Sequence, residues 1–206
     1  MKKSVWMGVL VFLLTACGGA VVHKINFSSD YTPDSIHRLA ILTFHTPSQG
    51  NIKRDFISDK FTTALLGARF KLVDRTDIKK VMAEVNFQNL AEGIIDEKTK
   101  EKLRHLGADS IMTGNLQTYT DKRGADDMCL YSEVYLTAKV LRVETGEVMW
   151  SAEIMKQSKA KNVGQKKFIG GESEAVAAGK LLDDIVSEMS DSFKEKKGLS
   201  ELRKLF

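Results

Sequence analysis

Along this chain the spacing of apolar residues switches repeatedly between the period of a strand and that of a helix. Arg38-Leu-Ala-Ile-Leu-Thr-Phe44 is a near-continuous apolar run of strand length, as expected for a strand covered on both faces. After a loop at Thr46–Asn51, Phe56, Phe61, Ala64, Leu65 and Ala68 recur at helical spacing over Asp55–Ala68, with Gly67 near the end. Phe70–Asp74 predicts a short strand. Thr76 and Asp77 then open a helix as cap and first-turn acid, with Ile78, Val81, Met82 and Val85 as its stripe. Asp96 caps a third helix that runs to Leu106 and stops at Gly107.

The second half is strand-rich. Ala108–Tyr119 has a strand pattern, Asp121–Asp127 is a polar turn, and Cys129–Val143 and Val148–Gln157 form a hairpin through Glu144-Thr-Gly-Glu147. Trp150 is expected in the core. A long helix covers Glu172–Phe193, with Val176, Gly179, Leu182, Ile185, Val186, Met189 and Phe193 on one face. A charged break at Lys194–Gly198 precedes a short amphipathic tail, Leu199, Leu202, Leu205 and Phe206, expected to pack on the domain. The order predicts one α/β (α+β) domain over residues 36–193, a mixed sheet of about five strands packed with helices.

The first residues have a different logic. Lys2 and Lys3 precede Val5–Leu14, an uncharged run too short to span a bilayer, which needs ~20 residues. Leu14-Thr-Ala-Cys-Gly18 resembles a bacterial lipobox. That resemblance implies cleavage after residue 16 and lipid on Cys17, and Gly18 after the cysteine resembles lipoproteins sorted to the outer membrane. Residues 17–35 then read as lipidated cysteine and tether, although Val21–Phe27 alternates well enough to supply an edge strand instead. The expected location is the periplasmic face of a Gram-negative outer membrane.

Charge changes little in this picture. The formal surplus of +4 falls to +2 when Lys2 and Lys3 leave with the signal, so nothing points to nucleic acid. With Cys17 lipidated, Cys129 has no partner in the chain and is expected as a buried small hydrophobe. The histidines are His23, His37, His45 and His105. His37 and His45 flank one strand about 26 Å apart, and no pair has metal-ligand spacing. Lys156–Lys167 carries five lysines and reads as a solvated strand end and loop; Gly170-Gly171, before the last helix, reads as loop rather than anion site. No nucleophile elbow, phosphate loop or acid–base pair stands out, so no catalytic residue, cofactor or metal is expected.

Four segments together resemble a family: Leu39–Phe44, Phe70–Glu84, Leu106-Gly-Ala-Asp-Ser-Ile-Met-Thr-Gly114 and Val140–Val148. Their order is similar to that of CsgG-like curli assembly and transport proteins, whose relatives include LpoB-like penicillin-binding-protein activator lipoproteins. The resemblance spans roughly residues 38–190. It implies a non-enzymatic envelope lipoprotein acting by protein–protein contact, as accessory or activator of an assembly or peptidoglycan machine. The alternative it implies is a homo-oligomeric secretion channel for curli-type fibre subunits. A channel needs membrane hairpins, and both candidate stretches, Leu116–Val134 and Ser151–Ile169, carry charges where lipid-facing rows must be apolar.

Overall fold

The computed structural model describes residues 22–46, 55–82, 96–124, 127–160 and 175–195. Three long antiparallel strands make its frame: β4 (Ser110–Arg123), β5 (Cys129–Arg142) and β6 (Val148–Lys159). Each is longer than the mean strand of ~5–6 residues, so a hairpin projects well past the rest of the sheet. β1 (His23–Phe27) pairs antiparallel with β6, and β2 (Arg38–Ile41) pairs parallel with both β4 and the two-residue β3 (Lys71–Leu72). The order is β1-β6-β5-β4-β2-β3, a mixed six-stranded sheet. The α+β class holds, with one strand more than the expected five.

That extra strand is β1, so residues 17–35 are not all tether. Ile25 is buried, and Tyr31, fully buried, stacks between Phe27 and Phe193 and donates its hydroxyl to the Phe193 carbonyl at 2.5 Å. Burial drives the Tyr31 phenol far above its ordinary range. The edge-strand alternative for Val21–Phe27 therefore holds over His23–Phe27, and the folded unit includes these residues.

Helices α1 (Asp55–Leu65) and α4 (Ala178–Glu195) cover one face of the sheet. Ile57, Phe61 and Leu65 of α1 and Leu182, Ile185, Met189 and Phe193 of α4 meet Met112, Leu116, Val134, Leu136, Val140, Trp150 and Ile154. Phe193 sits at the centre, with its ring 5.3–5.7 Å from those of Trp150, Phe70 and Tyr31. Gly114 of β4 is a forced choice: a Cβ there would lie 2.1 Å from the Thr137 carbonyl oxygen and 2.5 Å from the Phe44 ring. On the opposite face α2 (Arg75–Met82) and α3 (Glu97–His105) cover only one end, where Ile78 and Leu103 pack on Ala40, Leu42, Ile111, Leu141 and Val143.

Local details correct several expectations. Asp74, not Thr76, caps α2, accepting the Thr76 N–H at 2.7 Å. Phe56 is 40 % exposed rather than core, because Ile57 and Phe61 take the inward positions of α1 and leave its ring under the Lys60 ammonium. β4 runs through Lys122 and Arg123, which the charge pattern assigns to a turn, because Lys122 still pairs with Tyr131 and Arg123 with Cys129. β3 keeps only two residues of Phe70–Asp74, and α4 starts at Ala178, with Val176 exposed before it. Asp96 caps α3 by accepting the Thr99 N–H, and the turn after α3 is closed by Gly107 at φ 70°, a conformation suited to glycine.

Candidate functional site

Among the described residues, α2 and α3 cover only one end of their sheet face. In β5 the residues Ser132, Val134, Leu136, Ala138 and Val140 turn toward α4 and are buried, while Tyr131, Glu133, Tyr135, Thr137 and Lys139 alternate with them and are half-exposed. The ladder carries this outward set sideways to Thr118, Thr120 and Lys122 of β4, to Ser151, Glu153, Met155, Gln157 and Lys159 of β6, and to Lys24 and Asn26 of β1. The face is amphipathic, with tyrosine rings and a methionine among charged and amide groups.

Its polar groups are held in fixed positions. The Tyr135 hydroxyl donates to Glu153, which also receives the Lys24 ammonium at 3.3 Å. The Tyr131 hydroxyl donates to Glu133 Oε2, and the Gln157 amide donates to the same oxygen. The Tyr135 hydroxyl is the main reason the Glu153 carboxyl is held below its ordinary range, and the bonds to Glu133 and Glu153 push the Tyr131 and Tyr135 phenols up. Lys139 is shifted the other way, its ammonium disfavoured by partial burial. Lys122 and Lys159 each place Nζ 5.8 Å from the Tyr131 ring centroid. Among the described residues, Lys122, Lys139 and Lys159 form no salt bridge with a carboxylate. Rigid rings, fixed carboxylates and unpaired cations suit recognition of another surface; nothing in this set is a nucleophile with a base beside it.

A second polar cluster lies where β2 ends between α1 and α2, which pack on opposite faces of the sheet. Such a crevice often holds a ligand in α/β folds. Here the protein fills it: Arg75 bonds Asp55 at 2.8 Å and Asp59 at 3.2 Å, Lys79 bonds Asp55 at 2.8 Å, and the Arg75 fork reaches the Ile41 carbonyl. The Lys79 hydrogen bond, followed by the charge of Arg75, holds the Asp55 carboxyl low. Asp74-Arg75-Thr76 is thus a clamp between helices.

The remaining expected residues are scattered. Cys129 is buried, its thiol pushed up by burial and then by Asp121, whose carboxylate oxygen lies 3.5 Å from the sulfur. The same Asp121 oxygen accepts the Ala178 N–H at the start of α4. His23 bonds Glu188 at 2.6 Å, with Lys156 on the other carboxylate oxygen. Among the described residues no three His, Cys, Asp or Glu side chains converge as metal ligands, and no helix is long and apolar enough to cross a membrane. Cys17, Gly170-Gly171, Lys161, Lys166, Lys167 and the 199–206 tail lie outside the described residues. Val134, which ends the first candidate membrane stretch, and Leu136 lie under α4.

The family model for the peptidoglycan-synthase activator LpoB matches residues 29–155. The chain belongs to this family. The match runs from the turn after β1 through β5 and most of β6, so it includes the β4 and β5 parts of the open face but not β1, Gln157 or Lys159. LpoB membership puts the chain among accessory proteins of cell-envelope synthesis rather than among enzymes. Among solved structures the chain is similar to the PelC dodecamer from Paraburkholderia phytofirmans, at 12% identity over 86% of this chain and 99% of that one, with a TM-score of 0.54. It is also similar to the LpoB C-terminal domain from Salmonella enterica, at 16% identity over 58% of this chain and 82% of that one, with a TM-score of 0.39. No curated protein matches. The LpoB-like part of the expected resemblance is therefore supported, while the CsgG-like assignment, and curli secretion with it, is not.

The open face is what sequence reading missed. Its signal was present as the alternation Tyr131, Glu133, Tyr135, Thr137, Lys139, but polar residues at every second position are also what plain solvent exposure requires.

Proposed function

We propose that this chain is a lipid-anchored protein of the outer membrane that activates a peptidoglycan synthase by direct contact, without chemistry of its own. Lipid on Cys17 would hold it at the periplasmic face, and the open face of β1, β6, β5 and β4 would receive the synthase. The observation that carries this reading is the family match, which covers β4, β5 and β6 as far as Met155. The face itself supports it: Tyr135 and Met155 offer apolar area on the sheet, beside Lys139, which has no salt bridge among the described residues, and tyrosine and methionine are enriched in protein contacts.

The test is reconstitution. The mature chain, added to a purified peptidoglycan synthase of the same bacterium, is expected to raise the rate of glycan polymerisation. The Tyr135→Ala/Lys139→Glu variant, folded by circular dichroism, is expected to lose most of that stimulation. An unchanged rate with the native chain would overturn the activator reading, and full stimulation by the variant would move the contact to another surface.

A further inference from the structure

The strand register constrains how the domain meets the membrane that carries its anchor. β1 enters the sheet with His23 beside Ile154, and the chain before it still follows β6, since Met155 N–H donates to the Val22 carbonyl at 2.8 Å. Traced back from β1 to Val22, the chain therefore points toward the end of the sheet where Lys122, Tyr131 and Lys159 lie side by side on three strands. From Ile154 to Lys159 the sheet extends about 17 Å beyond His23 at ~3.3 Å per residue. From Cys17 to His23 the chain reaches at most about 22 Å when fully stretched. An anchor on Cys17 thus clears the Lys122–Tyr131–Lys159 row by only a few ångström even when straight along the sheet, and any bend closes that gap.

We propose that this row rests on the membrane surface and takes lipid-headgroup phosphates between its two lysines. The inference relies on lipidation of Cys17. Both ammonium groups flank one tyrosine ring, both side chains are exposed, and neither forms a salt bridge with a carboxylate among the described residues. Tyrosine and lysine are the residues that settle at a bilayer interface, the ring at headgroup level and the ammonium reaching phosphate. Nearby acids are already engaged: Glu133 accepts from Tyr131 and Gln157, Asp121 faces Ala178 N–H and Arg123, and Asp127 pairs with Arg123. A second copy is a poor occupant, because two such rows meeting face to face would oppose like charges. The synthase would then meet the parts of the open face farther from the membrane, around Tyr135, Thr137 and Lys139.

The test uses the native mature lipoprotein with vesicles of phosphatidylethanolamine and phosphatidylglycerol. A water-soluble amine reagent is applied with and without vesicles, and modification is read lysine by lysine by mass spectrometry. Modification of Lys122 and Lys159 is expected to fall about two-fold or more on vesicle binding, while exposed Lys98 on α3 keeps its reactivity. A chain that sediments with vesicles but shows no selective protection of Lys122 and Lys159 overturns the contact and leaves anchoring intact, freeing the row for a protein partner. A chain that stays in the supernatant overturns anchoring and contact together. Equal protection by inorganic phosphate without vesicles would overturn the lipid as its source.

Discussion

Leu136 and Thr137 are neighbours in β5 and face opposite worlds. One is fully buried beneath α4; the other is half-exposed on the open face, its hydroxyl bonding back to the Asn115 carbonyl. The same contrast repeats along the whole strand. The covered face is apolar, continuous and built around Phe193; the open face is a lattice of tyrosines, acids, amides and lysines. Stability resides on the first, and the recognition proposed above on the second. A strand can serve both because its side chains alternate and the backbone ladder holds the two sets in one register.

Mutations can break or sharpen that contrast. Phe193→Ala removes the ring on which Tyr31, Phe70 and Trp150 converge and should cost about 3–5 kcal/mol in urea unfolding. Leu136→Ala should cost about 2–5 kcal/mol, whereas Thr137→Ala should stay within about 0.5 kcal/mol; comparable values for the pair would refute the division of labour. Gly114→Ala forces the sheet away from Phe44 and should cost about 1–3 kcal/mol, more than a surface glycine change. Lys139→Glu should leave the unfolding midpoint nearly unchanged while reducing synthase stimulation.

The smallest effect expected is a pH effect at the Arg75 clamp. The folded state holds the Asp55 carboxyl below its unfolded value, so its contribution is complete above an unfolded pKa of about 4 and is lost as pH falls through the lower folded value. Asp55→Asn should therefore lower stability at neutral pH and flatten its decline below about pH 4. A variant that loses stability in acid as steeply as the parent would place that titration elsewhere.

Much of the covered face was legible in the sequence. The stripe Leu182, Ile185, Val186, Met189 and Phe193 is buried as its helical spacing demands, Trp150 and Cys129 are inside, and Asp96 and Gly107 bound α3. These features are local, or they follow from one period. What escaped depends on contacts distant in sequence. β1, short and half polar, was legible only as an alternative to a tether, and pairing with β6, well over a hundred residues away, decides for the strand. Phe56 and Val176 belong to the right apolar counts but point outward, since the boundaries of a stripe depend on what packs opposite. Arg75 gives no hint in sequence that it will bridge two helices. The open face escaped because a face is defined by what packs above it, here no helix among the described residues, and no single residue records that.

The placement of β1 also has a mechanical consequence. A lipid on Cys17 would make β1 the first element to bear tension whenever the envelope moves against a bound partner. The pull would run along the strand axis, nearly perpendicular to the β1–β6 hydrogen bonds, so they would be sheared together rather than peeled one by one. Behind them, the stack of Phe27, Tyr31 and Phe193 would pass the load directly into α4. The short edge strand would then act as a strain-relief joint between a fluid membrane and a rigid domain.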